Sequence, residues 1–302
     1  MGTIALRVVA AGAVLLTASA AFSQAAAAGV LIMAHGGSAA WNQHVRELAA
    51  AVAKCAPAEV AFGMATRSTL QDAVKKLESA GVSEIVAVPL FVSSHSSIIE
   101  ATKYLLGVRA DPPPQLAIFA KMSHDHGAAA AADVAQGSEP VRTRAAIRMA
   151  GALDAHPVAG AILTSRAEEV SQDPQREVAI LVAHGPEDDE SNNKWLGDMG
   201  TLAESMAARR AFARVEFQTV RDDAAPEIRE RAAKELRARV ERATSEGRTA
   251  VIVPLLMSYG GIESGIRKRL DGLQYTMARK GLLPDDRLAG WIAESAGLSC
   301  RE

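Results

Sequence analysis

The segment Leu31-Ile-Met-Ala-His-Gly-Gly37 returns as Ile180-Leu-Val-Ala-His-Gly-Pro186. A short apolar run ending in histidine is thus written twice, 149 positions apart by the subtraction 184 − 35. Further landmarks recur in the same order: Phe62 with Phe217, and Pro89 in Val-Pro-Leu-Phe with Pro254 in Val-Pro-Leu-Leu. This order points to internal duplication and two related halves facing each other. The copies differ in one respect: an ungapped match places Gly260 opposite His95.

Within each half, apolar runs alternate with helical periodicity. Val30–Ala34, Val60–Met64 and Ile85–Leu90 read as strands, and so do Val178–Val182, Val215–Val220 and Ala250–Leu255. Continuous apolar runs of this length suit parallel strands covered on both faces. Trp41, Val45, Leu48 and Val52 recur at helical spacing, as do Leu70, Val74 and Leu77, and Ile228, Ala232, Leu236 and Val240. The expected fold is α/β, two similar three-layer α/β/α domains with parallel sheets. A fourth strand is expected at Leu116–Ala120, a surface excursion over 127–141, and a helix over 142–170 that closes the first domain. Asp173-Pro174 is the expected linker. The domains are drawn as 1–28, 29–173 and 174–302.

Residues 1–28 carry one charge, Arg7, an uncharged run over Val8–Ala18, and then small residues. That is the pattern of a secretory signal peptide, with an apolar core shorter than the roughly 20 residues of a membrane span. Export, to a periplasm, is the expectation. Cys55 and Cys300 are given no role, because nothing in a sequence places two such distant residues within bridging distance. Basic and acidic side chains number 33 and 35, so bulk charge attracts no nucleic acid. Aromatic residues make up 4%, too few to furnish stacking platforms for bases.

The chemistry concentrates where strands end. His35 precedes Gly36-Gly37-Ser38 at a helix start, a corner suited to an anionic group. His95 lies in Ser93-Ser94-His95-Ser96-Ser97, directly after another strand. Neighbouring strand tips lie about 5 to 10 Å apart, so the imidazoles can share one divalent ion. His184 repeats the strand-end position and offers a ligand from the opposite side. His124 and His126 form a candidate secondary metal-loading site, and His44 and His156 are assigned to packing or capping. Arg67, Lys103 and Arg221 are candidates for gripping carboxylates, and Tyr259 with Gly260 for a flat floor. The run Glu187-Asp188-Asp189-Glu190 reads as a solvated loop.

The pattern Ala-His35-Gly-Gly-Ser, then Val-Pro89-Leu-Phe-Val-Ser-Ser-His95, then Ala-Leu-Asp-Ala-His156-Pro157 resembles the sirohydrochlorin chelatases, the class II cobalt and iron chelatases of tetrapyrrole biosynthesis. The resemblance covers most of residues 30–170, with a weaker copy over 178–272. It implies a doubled chelatase fold with the tetrapyrrole between the halves and no organic cofactor. His35 and His95 become the metal-binding pair, and Glu100 the candidate for assisting proton removal. Co²⁺ or Fe²⁺, with Ni²⁺ a further candidate, is the implied metal substrate. A single chain suffices for a two-sided cleft. An exported metal or tetrapyrrole carrier is the alternative reading.

Overall fold

The computed structural model describes residues 28–117 and 138–300. The leader, most of the excursion, and His124 and His126 lie outside the described residues.

The first half runs β1 (Ala28–Ala34), α1 (Ala39–Val52), β2 (Ala58–Phe62), α2 (Arg67–Ser79), β3 (Glu84–Pro89), α3 (Ser97–Leu105), β4 (Ala146–Met149) and α4 (Pro157–Glu168). The second runs β5 (Glu177–Ala183), α5 (Asp189–Arg209), β6 (Arg214–Thr219), α6 (Pro226–Ser245), β7 (Thr249–Leu255), α7 (Ile262–Arg269), β8 (Tyr275–Met277) and α8 (Arg287–Ser295). Each half builds a four-stranded parallel sheet, β2-β1-β3-β4 and β6-β5-β7-β8. The central strands β1 and β5 are buried almost throughout, which explains their unbroken apolar sequence.

Register confirms the duplication and corrects one landmark. Met33 pairs with Pro89 and Val182 with Pro254, so the two prolines are equivalent. Ala34 pairs with Phe62, but its counterpart Ala183 pairs with Thr219, not Phe217. The phenylalanine match is two residues out of step. A two-residue slip keeps a side chain on the same sheet face, so the apolar pattern hides it.

The fourth strand of the first sheet is not Leu116–Ala120. Leu116 and Ala117 lie in a helical turn after Pro112-Pro113-Pro114, and the rest of that segment is outside the described residues. The strand is Ala146–Met149, inside the segment expected to be helical. There Ile147 and Met149 are the less exposed positions of an alternating pattern, and they pack on the outer core. The helix begins only at Pro157, where a fixed φ and a missing N–H suit a first turn. His156 accepts the Val158 N–H at 3.2 Å on its Nδ1, so its assigned capping role is observed.

The closing helices are exchanged between halves. α4 ends the first half but packs chiefly on α5 and β7 of the second, while α8 ends the second and packs on α1 of the first. One apolar cluster therefore runs from Val30 and Ile32 through Val45, Ile162, Met199 and Leu202 to Leu181 and Val253. The outer faces form separate cores under α2 and α3 and under α6 and α7. The expectation that the helix closes its own domain fails because an apolar stripe records burial, not the partner that provides it.

Two features lock the exchange. Arg166 on α4 is 6% exposed and donates to the carbonyls of Gly281 at 2.9 Å and Pro284 at 2.7 Å. At the other end, Cys55 after α1 is disulfide-bonded to Cys300 after α8, with 5.1 Å between Cα atoms. The cysteines given no role from sequence are joined because helix exchange brings together positions 245 residues apart.

Candidate metal and tetrapyrrole site

His35 follows β1 directly. Gly36 turns the chain with φ +80°, a conformation without penalty only for glycine, and Ser38 caps α1 by accepting the Trp41 N–H. The His35 ring is exposed, and its Nδ1 lies 2.8 Å from the Gly36 carbonyl. A carbonyl only accepts, so Nδ1 carries the hydrogen and the Nε2 lone pair of the neutral ring is left for a ligand. The ring stacks on Trp41, centroids 5.8 Å apart.

The corner is less suited to an anion than its sequence suggests. The Gly37 N–H is taken by Asn42 Oδ1 at 3.0 Å and the Trp41 N–H by Ser38. Gly37 has a different reason to be glycine, since a Cβ there would come within 2.6 Å of the Trp41 ring.

His95 follows β3 and is half-buried. Its N–H donates to Ser93 Oγ at 3.1 Å, and its carbonyl accepts the indole N–H of Trp195 at 2.8 Å. Asp154 reaches the same loop from the turn before α4. It accepts the Ser94 N–H at 2.6 Å on Oδ1 and the Ser94 hydroxyl at 2.7 Å on Oδ2, and its own N–H donates to Val92. Asp198 arrives from α5 of the other half. Donor atoms of His95, Asp154 and Asp198 lie within 4.8 Å of one another, a group that includes neither His35 nor His184. Burial first, then the Asp154 charge, pushes the Asp198 carboxyl above the usual carboxylate range, with His95 pulling the other way.

Sequence reasoning missed both carboxylates. Asp154 stands inside the Ala-Leu-Asp-Ala-His156-Pro157 landmark, masked by the proline and histidine beside it. Asp198 interrupts a stripe of Trp195, Leu202 and Met206 on an otherwise inward-facing helix side. An acid at a core-facing helical position was the available signal.

Several candidates turn out to be committed elsewhere. Glu100 is ion-paired with Lys103 at 2.8 Å and Arg109 at 2.7 Å. Burial raises its pKa, but the bonds from Lys103 and Arg109 prevail and hold it below the ordinary value, which makes it a poor proton acceptor. Lys103 is correspondingly occupied. Arg221 is 6% exposed and spends its guanidinium on the carbonyls of Pro186 and Glu187 and on Asp189, so it shapes the acidic loop from within. Arg67 donates to the Glu139 carbonyl at 2.9 Å and borders an open cavity of about 830 Å³ lined by Gln71, Lys75 and Arg142, a lining that does not include His95, Asp154 or Asp198. His184 lies 3.5 Å from Asp223. The Tyr259 hydroxyl donates to the Ala278 carbonyl at 2.6 Å, and burial pushes its pKa up to about 12. Gly260 does face the opposite half, where a Cβ on it would lie 3.5 Å from the Trp41 ring.

Residues 29–170 match the CbiX family. No curated protein matches the chain. Among solved structures, SirB from Bacillus subtilis with Fe³⁺ is similar over 89% of this chain and 94% of its own, with 13% identity and a TM-score of 0.56. The sirohydrochlorin chelatase SirB from Bacillus subtilis subspecies spizizenii, in complex with cobalt, is similar over 89% and 95%, with 12% identity and a TM-score of 0.54. DR2241 from Deinococcus radiodurans, a multi-domain protein with structural similarity to chelatases and two additional novel domains, is 18% identical over 90% of this chain and 55% of its own, with a TM-score of 0.54. Two α/β units, each with a four-stranded parallel sheet, make up the fold that this chain shares with these structures. The CbiX match is confined to residues 29–170, 142 of the chain's 302.

Proposed function

We propose that this protein inserts a divalent metal, cobalt or iron, into sirohydrochlorin or a related tetrapyrrole. The observation that carries the reading is the His95 loop, on a family-matched domain, facing a wall built by the other half through Trp195 and Asp198. Insertion replaces two pyrrole N–H protons by one M²⁺, so the site must hold a cation, receive protons and keep the macrocycle oriented. His35 and His95 present the metal, with neutral imidazole the borderline donor that suits these ions and releases them again. The macrocycle occupies the space between the strand tips and is bent by its walls, so that its nitrogen lone pairs turn toward the metal. His35 and His95, freed of the metal as it enters the ring, take up the two released protons in turn, and Glu100, held ionised between two cations, takes no part.

Export is proposed alongside. The leader composition of residues 1–28 supports it, and so does the disulfide, since such bonds persist in oxidising compartments. These two features also favour a second reading, an exported carrier that holds metal or tetrapyrrole without turnover.

The test is to mix the purified protein with sirohydrochlorin and Co²⁺ or Fe²⁺ and follow the absorption spectrum. Repeated turnover, lost in His35→Ala and His95→Ala, is the expected result. One stoichiometric spectral change with no released product would replace the enzyme by the carrier.

A further inference from the structure

We propose that a divalent cation is held by one nitrogen and two carboxylate donors, His95, Asp154 and Asp198, so that the second half of the chain supplies a metal ligand. The proposal deepens the chelatase reading and rests on it only for the identity of the metal, since the site itself follows from the side chains.

Three separate segments deliver the donors: the loop after β3, the turn before α4, and the middle of α5. Their ligand atoms lie within 4.8 Å of one another, close enough for one ion to touch all three after small side-chain adjustments. Asp154 is already fixed by its two bonds from Ser94, and each of its oxygens keeps a lone pair for a cation.

The independent pointer is Asp198. Its Oδ2 is shut off from solvent and has no hydrogen-bond partner among the described residues. Buried carboxylate oxygens are nearly always satisfied, because leaving one bare forfeits its hydration with nothing in return. The same carboxylate has an oxygen within 4.8 Å of donor atoms of a histidine and a second carboxylate. It also borders a cavity of only about 10 Å³ formed with Asp154, Trp195, Met199 and Leu255, room for one water-sized particle and too small for any organic group. Two carboxylates this close repel each other unless a positive charge lies between them. A divalent cation supplies that charge and the missing partner together. The donor set of one imidazole and two carboxylates suits Co²⁺, Fe²⁺ and related ions.

The arrangement would let metal wait inside the wall of the cleft, with His95 common to this site and to the imidazole pair that presents it.

The experiment uses Co²⁺ alone, with no tetrapyrrole, and the full chain. Calorimetric and visible-absorption titrations of the wild type should show one site. Asp198→Asn, which keeps shape and removes charge, should weaken Co²⁺ binding at least tenfold and change the cobalt absorption bands. Asp154→Asn should do the same. Circular dichroism and the metal-free melting temperature report whether each variant is folded, and Asp198→Ser provides a second route if the amide packs badly. Unchanged affinity and bands in folded Asp198→Asn would overturn the site while leaving chelatase turnover intact. Asp198-dependent binding without turnover would keep the site and remove the enzyme.

Discussion

Trp195 of the second half donates its indole N–H to the backbone carbonyl of His95 in the first, at 2.8 Å. The relationship has a partner across the pseudo-repeat. Trp41 of the first half stacks on His35 and lies against Gly260, the position equivalent to His95 in the second. A tryptophan from the first inner helix of each half thus reaches the strand-end loop of the other. The loop that carries the histidine is anchored by a hydrogen bond, and the loop that lacks it rests a glycine against the ring.

Trp195→Phe keeps the ring and removes the donor. The His95 carbonyl loses about 1 kcal/mol of hydrogen bonding, and the loop loosens. Co²⁺ affinity is expected to fall roughly fivefold with the fold intact, read by titration beside far-ultraviolet circular dichroism. Unchanged affinity would mean that the loop is held by Ser93 and Asp154 alone.

Trp41→Leu removes the plane against which His35 rests. Ring stacking is worth about 1 kcal/mol, so metal insertion is expected to slow roughly fivefold. Gly260→Ala, in contrast, should be silent, because its new methyl meets Trp41 at an ordinary contact distance of 3.5 Å. Steady-state chelation rates for the two variants check both statements.

How much of this was legible in the residues depends on what kind of burial each residue records. β1, β3, β5 and β7 announce themselves because strands covered on both faces must be apolar at every position. β4 does not, since an edge strand of four residues with alternating exposure is indistinguishable from a turn of helix. Ile162 and Leu163 on α4 are fully buried, yet no local pattern says that the covering sheet belongs to the other half. The same blindness hid the Cys55–Cys300 bond, which exists only because α8 crosses over. At the site, strand-end histidines were visible by position. Asp154 and Asp198 were not, because their significance arises only when three segments meet.

Glu100→Gln tests the least expected assignment. Its carboxylate serves two partly exposed cations, pairs that contribute about 0 to 1 kcal/mol. Turnover should stay within roughly twofold of the wild type, with a slightly lower melting temperature. A hundredfold loss would return Glu100 to the chemistry.

Replacing both cysteines by serine releases the tail that holds α8 on α1. Closing a loop of 245 residues restrains the unfolded chain strongly, and the bond should contribute about 4 kcal/mol. The melting midpoint is expected to fall by about 10 °C, and the wild type in strong reductant should reproduce the drop. A variant that melts with the wild type would show that helix exchange is held by packing alone.

Arg166 and Asp285 define the pH dependence of that exchange. Burial works against the Asp285 charge, but bonds from the Arg287 side chain and backbone, together with the charges of Arg287 and Arg166, outweigh it and hold the pKa below the ordinary 3.8. A carboxyl with a depressed folded-state pKa stabilises the protein above 3.8 and loses that contribution as the pH falls through the folded value. Asp285→Asn should therefore melt below the wild type at neutral pH, with the gap closing as the medium becomes more acidic than 3.8. Arg166→Ala leaves the carbonyls of Gly281 and Pro284 without their donor and should cost about 3 kcal/mol. Most of that loss should persist in acid, because carbonyls do not titrate. Melting curves of the two variants across this range separate the charge from the hydrogen bonds, and a gap for Asp285→Asn that widened in acid would contradict the assignment.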